Sequence, residues 1–309
     1  VISVLRRPEF LALGYVCYDV RDEGLVVGGS AAYAGLLARN LGYQVAIFTS
    51  AASDFPFESV LRGVKVWVTE SRRSTVFVNR RRGSRRIQFV EAVAGRLEVK
   101  KIPLRWRRPK IAYFCPILGE FSAVEALDIV RAEVVGVAPQ GWLRRRTPKG
   151  LVVKTRWEEL GEVAGKVDFI VASHEELTRE EVECYVELSR IFVLTRGKEG
   201  ADLYVRGAFW GRIPAVPAAE ADETGAGDVF GSAFAVRYYE TRDPVEAAYF
   251  AAAAASLAVE GVGLSGIPES REEILARLAT LERTLWKAPS SRGVDYGRTA
   301  PELGKGYLR

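Results

Sequence analysis

Between Ile111 and Thr195, short apolar runs alternate with segments of helical spacing, and this alternation limits the possible folds more than any other feature. The runs at 111–115, 134–138, 168–172 and 191–195 are nearly continuous in apolar residues, as strands buried on both faces are. Segments 119–131, 155–164 and 175–188 between them carry helical periodicity. Strand, helix, strand in that order gives βαβ units, which assemble into a parallel sheet with helices on both faces. The expected class is α/β: a three-layer α/β/α sandwich around a mostly parallel central sheet.

Upstream, Phe10 to Cys17 reads as a first buried strand ending in Tyr18-Asp19. A helix from Gly29 to Leu41 stops at Gly42, and Val45 to Thr49 reads as the next strand. Three alternating pieces at 64–70, 74–80 and 86–93 are rich in Val, Thr and Phe. They are expected to form a small β lid over about 64–93, with Arg80 to Arg86 as the turn between the last two. A hairpin at 201–214 precedes helices near 225–240, 244–259 and 269–285. The tail, about 287–309, is rich in Gly, Pro, Ser and charge, has no periodicity and reads as loop. The whole chain, 1–309, is long enough for one large domain with this small appendage.

Composition narrows the setting. Cys17, Cys115 and Cys184 are odd in number and widely spaced, which points to a reducing compartment without structural disulfides. Arg6, Arg7 and Pro8 interrupt a short apolar start, so no secretory pattern is seen, and the longest apolar run, Ala247 to Val259, is too short for a membrane span. The expectation is a cytoplasmic protein without a membrane partner. Sparse Asn and Gln beside 27% charged residues suggest a thermophilic source.

The chemistry concentrates in Asp222-Glu223-Thr224-Gly225-Ala226-Gly227-Asp228-Val229-Phe230. A Gly-Ala-Gly turn opens an apolar helix, and amides at a helix N-terminus can hold developing negative charge. Glycine there lets a phosphate approach the backbone. Asp228, next in sequence, can take the proton of an attacking hydroxyl. Capping of the helix by Thr224 or Asp222 is the competing reading, and spacing does not separate the two.

This segment resembles the C-terminal signature of the ribokinase-like (PfkB) carbohydrate kinase family. Gly28-Gly29-Ser30-Ala31-Ala32, followed by Leu36-Leu37-Ala38-Arg39-Asn40-Leu41-Gly42, resembles the N-terminal one, in the family's order. The resemblance runs from about Phe10 to about Leu285 and implies a ribokinase-like sandwich with a β lid over the sugar site. It also implies Asp228 as general base, with Gly225, Ala226 and Gly227 as an anion hole. Asp19 would bind substrate hydroxyls, since a carboxylate accepts two hydrogen bonds in fixed geometry. Gly28 and Gly29 would bring backbone to the same ligand.

Further positions follow from the resemblance. Thr195 and Gly197 match a nucleotide-binding turn, Thr224 falls in the signature, and Gly263 ends a segment on the adenine side. Glu176 matches a glutamate that organises Mg2+ around the phosphates, although Ser173 with Glu176 also reads as a helix capping box. His174 reads as a surface residue. Where relatives carry a sugar-contacting Asn, this chain has Tyr33, which departs from the pattern of a common pentose or hexose kinase. Gln140-Gly141-Trp142-Leu143-Arg144 resembles the myo-inositol kinase branch and makes Gln140 a substrate candidate.

The expectation is therefore an ATP-dependent kinase acting on a hydroxyl of a sugar or polyol, with Mg2+. A monovalent cation near Asp222 and a homodimer through the lid are further implications of the resemblance. Three other classes stay in view: a nucleoside kinase of the same family, a non-catalytic ligand sensor, and a nucleic-acid binder. The last rests on five arginines between Arg80 and Arg86, which lack interleaved aromatics, so no nucleic acid is expected as a partner.

Overall fold

The computed structural model describes residues 7–22, 24–82 and 85–287. Strand β1 (Phe10–Leu13) is buried throughout, with Phe10 and Ala12 packed to one side of the sheet and Leu11 and Leu13 to the other. A period-two split of this kind is what a central strand requires. The strand ends at Leu13, and Gly14 follows where any side chain would meet the Cys115 carbonyl at 2.3 Å. The expected single strand reaching Asp19 is thus two strands: β2 (Cys17–Arg21) pairs antiparallel with β3 (Gly24–Gly28) in a second sheet.

Helix α1 (Ser30–Asn40) follows Gly29 and closes at Gly42, whose φ of 91° is the left-handed stop expected there. Strand β4 (Val45–Ala51) and a single turn, α2 (Phe57–Val60), lead to β5 (Lys65–Glu70). β5 was expected in the lid but pairs parallel with β4 at the edge of the large sheet. An edge strand and a lid strand are both half-covered, so their alternation looks the same. The lid consists instead of β2, β3, β6 (Thr75–Arg82) and β7 (Arg85–Ala92), in the order β3-β2-β6-β7. The turn residues at 83–84 and the tail from 288 lie outside the described residues.

The βα alternation holds through β8 (Ile111–Phe114), α3 (Ala123–Ile129) and β9 (Val134–Val137). It then departs from expectation. Strands β10 (Arg144–Arg146) and β11 (Val152–Lys154) form a small antiparallel hairpin, and the helix expected over 155–164 is reduced to α4 (Leu160–Val163). Strand β12 (Phe169–Ser173) leads to α5 (Arg179–Leu188), which starts later than expected because the capping box is Thr178 with Glu181 rather than Ser173 with Glu176. Strand β13 (Ile191–Thr195) and the hairpin β14 (Ala201–Val205) and β15 (Ala208–Ile213) complete the strands. Helices α6 (Ala226–Thr241), α7 (Pro244–Ala258) and α8 (Arg271–Lys287) follow as expected. Asp243 caps α7 through the amides of Val245 and Glu246, with Pro244 at its first position.

The large sheet has nine strands in the order β15-β14-β13-β12-β9-β8-β1-β4-β5. All neighbours are parallel except β13/β14 and β14/β15. One core lies under α1, α6 and α7, the other under α3, α4 and α5, which makes three layers. From β1 the chain winds one way to β4 and β5, then returns to β8 on the other side. The carboxyl ends of β1 and β8 therefore flank a topological switch point, where open α/β sheets place their ligands. Among the described residues, no helix is long and apolar enough to cross a membrane.

Candidate active site

Two helix N-termini meet at this switch point. Helix α1 begins at Gly29, whose φ of 98° and approach to Tyr15 (2.6 Å from an added Cβ to the carbonyl oxygen) exclude a side chain. Helix α6 begins at Gly225, in the left-handed conformation with φ 84° and with no side-chain cap. Capping by Thr224 or Asp222 is thus not how α6 starts. An uncapped helix start leaves amides directed outward, and an anion is the ligand such an end takes. The two helices are held side by side by Ser232 Oγ, which donates to the Ala34 carbonyl at 2.9 Å.

Asp228 occupies the first turn of α6, and Ser30, the first residue of α1, donates a hydrogen bond to its carboxylate. It keeps part of its surface open while protein atoms enclose the rest. Burial lifts its pKa from 3.8 to about 6, against the Ser30 bond and the Arg144 guanidinium, which lower it; Glu176 and Asp19 add to the rise. Asp19, Arg144 and Glu176 are thus near enough to act on the charge of Asp228. A carboxylate poised near 6 is a competent general base at neutral pH.

Asp222 braces the loop before α6. Its Oδ1 accepts from Thr224 N at 3.0 Å, and its Oδ2 accepts from Gly263 N at 3.1 Å and from Arg21 Nη2 at 2.6 Å. Burial raises its pKa, but the Arg21, Thr224 and Gly263 hydrogen bonds outweigh this and hold it below 3.8. Tyr33 is 3% exposed, and its ring fills the space behind Gly225, where an added Cβ would lie 2.2 Å from a ring carbon. The structure therefore sets Tyr33 against the signature loop as packing. Burial first, then Asp228, Asp19 and Asp222, push its phenol up, so it stays neutral.

On the lid side, Asp19 lies on β2 against Gly28, where an added Cβ would be 2.7 Å from Asp19 Oδ2. Asn79 Nδ2 donates to Asp19 Oδ1 at 3.3 Å. On the body side, the Gln140 carbonyl accepts from Arg144 Nε at 3.2 Å. Glu120, 1% exposed, takes amides from Tyr15, Ile117 and Leu118 and so fixes the exits of β1 and β8. Arg21, Ser30, Asn79, Gln88, Glu120 and Arg144 were not among the site candidates. Of these, Ser30 stood in the N-terminal signature and Arg144 in the 140–144 segment, and the others had no visible signal.

The remaining candidates lie along the carboxyl edge of the sheet. Thr195 ends β13, with its hydroxyl donating to the Ala172 carbonyl at 3.3 Å, and Gly197 follows with φ 55°. His174 is exposed and its amide donates to the Thr195 carbonyl at 3.0 Å, joining the ends of β12 and β13. Gly263, with φ 57°, faces lid Val26 at 3.5 Å from an added Cβ. Glu176 accepts from Ser173 N at 3.3 Å; burial raises its pKa while Arg144 lowers it.

Two groups that the resemblance implies are tested by these contacts. Glu176 and Asp228 are carboxylates raised by burial, with Glu176 repelling Asp228, and a divalent cation would relieve both. Among the described residues no set of three His, Cys, Asp or Glu could hold a metal by itself, so Mg2+ fits here only when carried by donor phosphates and waters. A monovalent cation at the Asp222 carboxylate would have to share its oxygens with a guanidinium and two amides.

Residues 143–270 match the model of the pfkB family carbohydrate kinases. A ribokinase of Bacillus subtilis is 41% identical over 86 residues, which cover 28% of this chain and 29% of that protein. The match thus spans less than a third of the length of this curated relative. Among solved structures, a pyrophosphate-dependent kinase of the ribokinase family, complexed with a pyrophosphate analog and myo-inositol, has TM-score 0.74 at 22% identity, covering 86% of this chain and 99% of that one. A ribokinase from Thermotoga maritima has TM-score 0.69 at 18% identity, covering 88% and 99%. The fold is ribokinase-like, and the resemblance to the PfkB family is borne out, with the family model covering the C-terminal signature.

Proposed function

We propose that this chain is a carbohydrate kinase that transfers the γ-phosphate of ATP to a hydroxyl of a sugar or polyol. The observation that carries the reading is the placement of Asp228, a carboxylate lifted to about 6 in the first turn of an uncapped helix that begins Gly-Ala-Gly. The acceptor lies between Asp19 with the Gly28–Gly29 backbone on the lid side and Asp228 with Gln140 on the body side. Asp228 takes the proton of the attacking hydroxyl as its oxygen bonds to the phosphorus. The amides of Gly225, Ala226 and Gly227 receive the charge gathering on the phosphoryl oxygens, and the bond to the leaving diphosphate breaks. Glu176 would hold the waters of Mg2+ carried in with the donor, and the cation would supply charge neutralisation there. Thr195, Gly197, Thr224 and Gly263 border the donor. The lid excludes water, which would otherwise accept the phosphoryl group.

A pyrophosphate donor is the second reading, favoured by the neighbour of TM-score 0.74, which is described as pyrophosphate-dependent. The test measures transfer from ATP and from pyrophosphate, each with Mg2+, to myo-inositol, D-ribose, D-fructose and adenosine. Transfer to a sugar or polyol supports the proposal, and the better donor decides between the two readings. Preference for adenosine makes the chain a nucleoside kinase. Binding without turnover would leave a sensor and remove the catalytic role.

A further inference from the structure

Asp19, Asn79, Gln88 and Arg144 form one continuous hydrogen-bonded chain from the lid to the body. Asn79 Nδ2 donates to Asp19 Oδ1 at 3.3 Å, Gln88 Nε2 donates to Asn79 Oδ1 at 3.0 Å, and Arg144 Nη1 donates to Gln88 Oε1 at 2.7 Å. Asp19, Asn79 and Gln88 stand on β2, β6 and β7, three adjacent lid strands, with Asn79 and Gln88 directly paired. Arg144 opens β10, and the β10–β11 hairpin is one place where the lid meets the body. There, Phe89 bridges Leu151, Val90 N donates to the Gly150 carbonyl at 2.8 Å, and Arg146 Nε donates to the Val90 carbonyl at 2.9 Å.

The direction of this chain is set at both ends. A carboxylate takes only donors and a guanidinium offers only donors, so each amide between them keeps its nitrogen toward Asp19 and its oxygen toward Arg144. A turned amide at either position would set acceptor against acceptor or donor against donor. Arg144 also acts on Asp228 and Glu176, lowering the pKa of both. One guanidinium thus bonds to the lid through Gln88 and also acts electrostatically on two carboxylates of the body.

We propose that Asn79 and Gln88 are positioning residues for acceptor recognition: they hold the Asp19 carboxylate in register with Arg144, so that a polyol is gripped only when the lid is seated on the β10–β11 hairpin. The proposal rests on the kinase reading above for the role of Asp19 as acceptor ligand. It assigns specificity to a relay of side chains rather than to one contact. Gln88→Glu is the decisive variant. It keeps the shape and can still accept from Arg144, but it cannot donate to Asn79, whose amide then turns its oxygen toward Asp19.

The experiment compares wild type, Gln88→Glu, Gln88→Leu, Asn79→Leu and the double leucine variant. The acceptor is whichever of myo-inositol and D-ribose the wild type phosphorylates. Loss of one half-buried polar link predicts a rise of roughly 10-fold in acceptor KM for each single variant, with donor KM unchanged. The double variant is expected to be no worse than the worse single one, because both remove the same chain. An acceptor KM left unmoved by Gln88→Glu, or donor and acceptor KM rising together, overturns the proposal. Hydrogen exchange without ligand tests the relay apart from catalysis. Amides of 76–80 and 87–90 should exchange roughly 10-fold faster in Gln88→Leu, while those of 201–213 do not change. Unchanged lid exchange overturns the relay whatever the activity. Faster lid exchange beside a wild type that phosphorylates nothing supports the tie between lid and body and removes the kinase reading instead.

Discussion

Arg21 Nη2 lies 2.6 Å from Asp222 Oδ2, which ties the second strand of the lid to the loop that opens α6, 201 residues along the chain. Both side chains are partly buried, so the pair is shielded from water more than an ordinary surface bridge is. Arg21→Gln leaves Asp222 with two amide donors and no counter-charge, and the expected cost is about 1–3 kcal/mol, read as a lower Tm at pH 7. The Asp222 pKa is depressed in the folded chain, so this stability is present above the unfolded value and is lost as pH falls through the lower, folded one. Thermal melts should therefore show the gap between wild type and Arg21→Gln closing below about pH 4. A gap that persists in acid would place the destabilisation elsewhere.

The same pair bears on salt requirements. A built-in guanidinium occupies the Asp222 carboxylate, so catalysis by the wild type is expected to proceed equally in potassium, sodium or tetramethylammonium chloride at one ionic strength. Arg21→Ala exposes the carboxylate and is the variant in which a potassium response should appear. Strong activation of the wild type by potassium would show that the cation binds away from this carboxylate.

Asp228 makes a prediction in two parts. Its replacement by Asn removes the base but not the shape, and turnover is expected to fall by roughly 10³-fold or more while the fold persists. A carboxyl raised from 3.8 to about 6 binds its proton more tightly when folded, so the folded state loses relative stability as pH rises through that window. The variant should therefore be more stable than wild type at pH 7.5, by up to about 3 kcal/mol, and no more stable at pH 4. In the wild type, kcat/KM should rise with pH along a limb near 6. An Asn variant that turns over normally, or melts at the wild-type temperature at pH 7.5, contradicts the assignment.

The sequence made the body of this fold readable because its strands are buried on both faces and its helices are long. β8, β9, β12 and β13, together with α6, α7 and α8, fall where hydrophobic runs and periodicity put them. The lid was harder. Cys17–Val20 pairs in parallel with Thr75–Val78, and nothing local in either segment signals a partner so distant in the chain. β5 alternates like a lid strand but extends the body sheet, since half-burial looks alike in both places. The signature loop and Asp228 were legible because glycines before a helix start leave a mark in sequence. The side chains that brace the rest of the site were not. Glu120 works by accepting backbone amides, and Asn79 and Gln88 work by pairing across strands, and neither function leaves a residue pattern.

Gly225 and Gly227 separate packing from catalysis at the start of α6. Gly225 needs glycine twice over, because its φ is 84° and an added Cβ would lie 2.2 Å from a Tyr33 ring carbon. Gly225→Ala is expected to unfold at a markedly lower temperature, with the left-handed strain alone costing about 1–2 kcal/mol. Tyr33→Ala in that background removes the collision and restores only part of the loss. Gly227 lies in ordinary helical backbone, with no atom within 4 Å of an added Cβ. Gly227→Ala should therefore fold at least as well as wild type, with a gain near 0.5–1 kcal/mol from the helix preference of alanine. If amides at this turn receive the migrating phosphoryl group, the new methyl stands in its path and kcat falls by roughly 10²-fold despite the better fold. Differential scanning calorimetry and initial rates on one preparation measure both quantities. A Gly227→Ala protein that is stable and fully active would mean that no phosphate approaches the N-terminus of α6.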